Sequence, residues 1–87
     1  MARPMSITTA ASQIKSFTKK YTGKTILFSS LSEQEKHRYV MVKQYNYFRN
    51  FLSVEESLKR AINNANIHRK NGYEVYNNPM EHMIIGG

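Results

Sequence analysis

Residues 37–51 read HRYVMVKQYNYFRNF, and the state assigned to them decides the fold. The stretch is dense in β-branched and aromatic residues, the types that suit a pleated, half-buried surface. It is too long for one ordinary strand. Gln44-Tyr45-Asn46 offers the best turn, which divides it into strands at Arg38–Lys43 and Tyr47–Phe51. Upstream, Thr25–Ser30 (TILFSS) is short, apolar and aromatic and supplies another strand, joined through the polar connection LSEQEK. The expectation is a three-stranded antiparallel meander. Alternate side chains of a strand share a face. Val40 and Val42 then point to the core, and Tyr39, Met41 and Lys43 point away from it.

Helices flank this stretch. Ile7, Ala10, Ala11, Ile14, Phe17 and Tyr21 recur at three-to-four spacing, one face of a helix over residues 7–21. Ser6 or Thr8 can cap its start. Lys15, Lys19 and Lys20 lie off the apolar face, toward the end where cations suit the helix dipole. On the C-terminal side, Ser53-Val54-Glu55-Glu56 is a capping box. Val54, Leu58, Ala61, Ile62 and Ala65 follow on one face. His68, Arg69 and Lys70 crowd the far end, and Asn71-Gly72 stop the helix. Tyr73–Tyr76 (YEVY) suits a short C-terminal edge strand, broken by Asn77-Asn78-Pro79.

The order helix, three strands, helix, short strand predicts a single α+β domain over residues 1–87, with the second helix packed on the sheet. Residues 1–5 and 80–87 are expected as flexible tails.

Gly23-Lys24-Thr25 has the ending of a phosphate-binding loop. The order is wrong for one. Such a loop follows a strand and opens a helix, so that N-terminal amides face the phosphates. Here a helix runs into Gly23 and an apolar run follows. Thr18 stands where the first glycine would be. Gly23 is read as a helix cap, and Lys24-Thr25 as the entry to a strand.

Composition narrows the function classes. Hydrophobic residues make up 40% of the 87 and aromatics 11%, a globular balance. Cysteine is absent, which excludes disulfides and thiolate metal sites. No apolar run approaches the roughly 20 residues of a membrane span, and MARPMSITTAASQ lacks the apolar centre of a secretory signal. A cytoplasmic protein is expected. Thirteen Lys and Arg against six Asp and Glu give a net charge of +7 and a pI near 9.9. That charge concerns partners: nucleic acid or an acidic protein surface.

The expected binding surface combines basic and aromatic residues. On the meander these are Arg38, Tyr39, Lys43, Tyr45, Tyr47 and Arg49, and on the first helix Lys15, Lys19 and Lys20. Cations contact phosphates and rings stack on bases. The alternative is that the tyrosines cover the rim of a small core. The tail residues Met80, Met83, Ile84 and Ile85 carry two readings: an adaptable partner surface, or an edge strand closing on the sheet. No two of His37, His68 and His82 stand at metal-ligand spacing, and no nucleophile motif appears. No metal, cofactor or catalysis is expected. His37, beside Arg38, is expected to be solvated.

At the level of element order, the chain is similar to double-stranded-RNA-binding domains. The basic cluster those domains carry at the start of the last helix is replaced here by the acidic SVEES. Three strands before a packed helix are also similar to ethylene-response DNA-binding domains and their phage relatives, with a loose likeness at Phe51, Glu55 and Ala61. The arginine and tryptophan signature of that family is absent. The order and a strand-borne His37 resemble HicA-type ribonuclease toxins, which would imply nucleolytic activity. The leading expectation is a non-enzymatic nucleic-acid-binding protein. The alternative is an inhibitor of the phage or mobile-element kind that binds a host protein or nuclease complex. A HicA-like toxin stands third.

Overall fold

The computed structural model describes residues 5–76 and 81–83. It contains three helices and a minimal ribbon. Helix α1 spans Ile7–Tyr21, strand β1 Thr25–Leu27, helix α2 Glu33–Phe48, helix α3 Val54–Lys70 and strand β2 Glu81–Met83. A single 3₁₀ turn, Phe28–Ser30, links β1 to the next connection.

The expected meander does not form. Both strands assigned within 37–51 are one continuous helix, and the turn placed at Gln44-Tyr45-Asn46 is helical. Two local features make this a helix. Ser32 caps it by accepting from the Glu35 backbone N–H at 3.2 Å, and Glu33 and Glu35 place negative charge in the first turn. Ser32-Glu33-Gln34-Glu35 is thus the same serine-to-glutamate signature as at Ser53. Its middle then defeats pattern recognition. Tyr39, Val40, Met41 and Val42 are all fully buried. Four consecutive residues go round a whole helical turn, so this segment is covered on every side. A helix covered all round has no polar face to reveal its period, and a short apolar run cannot be told from a strand by periodicity.

The flanking helices form as their patterns predict. In α1, Ser6 caps by accepting from the Thr9 N–H at 3.1 Å, and Ala10, Ile14 and Phe17 are buried. Gly23, with φ of +78°, turns the chain after Thr22. In α3, Ser53 accepts from the Glu56 N–H at 3.2 Å, and Leu58, Ala61, Ile62 and Ala65 are buried. Helix α2 packs against both α1 and α3.

Strand content is much smaller than expected. β1 keeps only the first half of Thr25–Ser30. It pairs antiparallel with β2 in the register Thr25–Met83, Ile26–His82 and Leu27–Glu81. Tyr73–Tyr76 is not an edge strand. It is a turn in which Tyr73 takes a left-handed φ of 57° and is buried. Phe28 packs edge to face on Tyr39 at 5.4 Å and on Tyr73 at 5.8 Å, Tyr39 packs edge to face on Tyr76, and the Phe28 and Tyr76 rings are tilted 5.7 Å apart. This aromatic knot joins the β1 corner, α2 and the turn after α3. Of the expected tails, residues 1–4, 80 and 84–87 lie outside the described residues.

Candidate functional site

A groove of about 600 Å³ lies where α1 meets α2 and the start of α3. Ala11, Ile14, Val54 and Leu58 give it an apolar floor. Lys15, Thr18, Lys19 and Thr22 come from α1, and Tyr45 and Asn46 from the end of α2. The α1 contribution follows from helical spacing: positions 11, 15, 18, 19 and 22 form one stripe. Helix α1 carries no acidic residue. Lys15 and Lys19 are exposed one turn apart, and neither makes an ion pair among the described residues.

Several other cations are engaged. Lys20 lies 3.9 Å from Glu35 and over the Tyr21 ring at 5.1 Å. Arg38 is half-buried and bonds Glu35 at 3.3 Å. Lys59 sits between Glu55 and Glu56, at 3.9 and 3.8 Å. The exposed Lys59 pairs contribute little stability, but together these contacts decide which charges remain available. The two carboxylates of the SVEES stretch are thereby answered locally.

The sequence-derived surface therefore separates into three. Lys15, Lys19 and Tyr45 come together at the groove. Lys43, Tyr47 and Arg49 are exposed on the second half of α2 and its C-cap, with Arg49 donating to the Leu52 carbonyl at 2.6 Å. Tyr39 is not a surface residue. It is fully buried against Phe17, Phe28 and Tyr76. Burial, then the nearby Tyr76, push its phenol up to about 12. Met41, expected to point away from the core, is buried too. Among the described residues, no sheet face carries these side chains together. Met83 lies on β2, and Met80, Ile84 and Ile85 lie outside the described residues. Sequence reasoning missed Thr18, Thr22, Asn46 and Val54. The first two were findable from the α1 stripe; the others depend on α2 being a helix.

His37 is the other correction. It is buried rather than solvated, on a helix rather than a strand, with Nδ1 3.4 Å from the Tyr73 hydroxyl. Burial, then the positive charge of Arg69, lower its pKa to about 4. Nearby, Gln44 Oε1 accepts from Asn64 Nδ2 and Gln44 Nε2 donates to the Tyr76 hydroxyl, both at 3.0 Å. These contacts tie α2 to α3 and to the turn that follows it. His37 is therefore a buried helix residue and not the strand-borne histidine on which the toxin resemblance was drawn. Among the described residues, no group of three or more His, Asp or Glu could hold a metal ion. No described helix is long and apolar enough to cross a membrane. Compared with known proteins, the chain matches no family model, and no similar curated protein or solved structure was found.

Proposed function

We propose that the protein is a non-enzymatic, cytoplasmic binding module that takes a polyanion on α1 and its groove, with nucleic acid as the partner. One observation carries this reading. Lys15 and Lys19 stand side by side on a helix without acidic residues, and no carboxylate among the described residues neutralises them. Two adjacent free ammonium groups suit successive phosphates, which contribute affinity by releasing condensed counterions. Thr18, Thr22 and Asn46 add neutral hydrogen-bonding groups along the same groove.

The test is titration of labelled oligonucleotides over a salt series. Binding should weaken steeply as salt rises. Changing Lys15 and Lys19 to Gln should lower the salt slope by about 2, roughly one for each phosphate that is no longer neutralised. Absence of binding in dilute salt would end the proposal. The apolar floor at Ala11, Ile14 and Leu58 favours one further reading, the protein-binding inhibitor. An acidic amphipathic segment could lay its apolar side on that floor and its carboxylates on the lysines. A pull-down with and without nuclease treatment separates the two, since a protein partner survives the nuclease.

A further inference from the structure

Asn46 and Val54 line the groove and flank the α2–α3 corner, and that corner carries three aromatic rings, Tyr47 and Phe48 at the end of α2 and Phe51 on the connection. Tyr47 and Phe51 are each 60% exposed. Tyr47, Phe48 and Phe51 meet edge to face, with centroids 5.2 to 5.9 Å apart. Two guanidinium groups attend them. Arg60 stands over the Phe48 ring at 5.7 Å, and Arg49 is folded back onto the connection through its bond to the Leu52 carbonyl. The nearest acidic residues in sequence, Glu55 and Glu56, are both engaged by Lys59. The corner is thus aromatic, cationic and open to solvent.

Burial does not explain Tyr47 and Phe51, because both rings remain largely in water. A small fold gains little by exposing two aromatic residues side by side. Their ring faces suit a flat, apolar, electron-rich partner with negative charge beside it. A nucleobase with its phosphate has that chemistry. In a duplex, base faces are covered by their neighbours and only edges and phosphates are presented. A single strand leaves faces free to stack.

Resting on the polyanion-binding reading above, we propose that the preferred ligand is single-stranded nucleic acid, with bases stacked on Tyr47 and Phe51 and phosphates held by Lys15, Lys19 and the corner arginines. The test compares a labelled single strand of about 12 nucleotides with the same sequence as a duplex. The proteins are the full chain, Tyr47→Ala, Phe51→Ala and Lys15→Gln/Lys19→Gln, each checked for unchanged helicity. The single strand should bind at least about tenfold more tightly than the duplex. Each aromatic substitution should weaken single-strand binding about tenfold and leave duplex binding almost unchanged, while the lysine pair should weaken both. Equal affinity for the two forms, with silent aromatic variants, overturns the single-strand proposal and leaves polyanion binding standing. Binding to neither form removes both. A concentration-dependent dimer of the full chain that Phe51→Ala dissociates also overturns it, by making the corner a contact between copies.

Discussion

The two ends of α2 are built on opposite plans. From its start to Gln44 it is locked: Tyr39 inside the aromatic knot, His37 facing Tyr73, and Gln44 joining Asn64 to Tyr76. Its last turn is open, with Tyr47 exposed and Tyr45 and Asn46 lining a groove rimmed by free lysines. Core and proposed binding surface share one helix, and the division falls near Gln44. Buried contacts set stability, and under the proposed function exposed cations and rings set recognition. Substitutions on the two halves should therefore separate the two properties.

Tyr39→Ala is the largest expected break. It empties the centre of the knot and should cost about 3–5 kcal/mol, measured by chemical denaturation. A loss below about 1 kcal/mol would show that the knot contributes little. Acid gives the next effect. His37 has a folded pKa of about 4, below the ordinary 6.5. The unfolded chain takes up a proton that the folded chain refuses between these values, so stability rises with pH across this window. The stabilisation is fully present above about pH 6.5, is lost as pH falls toward 4, and amounts to at most about 3 kcal/mol. Comparing the denaturation midpoint at several pH values in the full chain and in His37→Gln isolates it, because the substitution should flatten the curve.

Smaller effects sharpen the contrast. Ser32→Ala should cost about 1 kcal/mol, close to the cost of Ser53→Ala, because the two serines cap in the same way. If Ser32→Ala changes nothing while Ser53→Ala destabilises, the start of α2 is held by packing alone. At the groove that the open end of α2 lines, Lys15→Gln and Lys19→Gln on α1 should move stability by no more than about 0.5 kcal/mol while altering oligonucleotide binding. Loss of stability without loss of binding there would reverse the assignment of the two halves.

Helices α1 and α3 were legible because each keeps a solvated face, so the three-to-four spacing of Ile14 and Phe17, or of Leu58 and Ile62, stands out against polar neighbours. Helix α2 was not, because Tyr39 to Val42 are covered all round and look the same under either period. Only two of its sixteen residues, Val40 and Val42, are β-branched; the tyrosines supplied the rest of the strand signal. The deciding clue was local, the Ser32–Glu35 box, whose twin at Ser53 was recognised. The site was legible where it rests on α1: Lys15 and Lys19 remain surface residues whatever follows them. Tyr39 was misplaced with its element, since a strand would have turned it outward. Val54 and Asn46 joined the groove only through tertiary packing, which no local pattern encodes.

The pairing of β1 with β2 has a kinetic consequence. Thr25 and Met83 are far apart in the sequence, with α2 and α3 between them, so the ribbon closes a long loop for only three residues of ladder. Forming such a contact is entropically costly until the chain between is already ordered. The three helices can collapse on α2 without it. The ribbon should therefore be the last part to assemble and the first to open. Amide hydrogens of β1 and β2 should exchange faster than those of Val40 and Met41, by a mechanism that leaves the helical core intact.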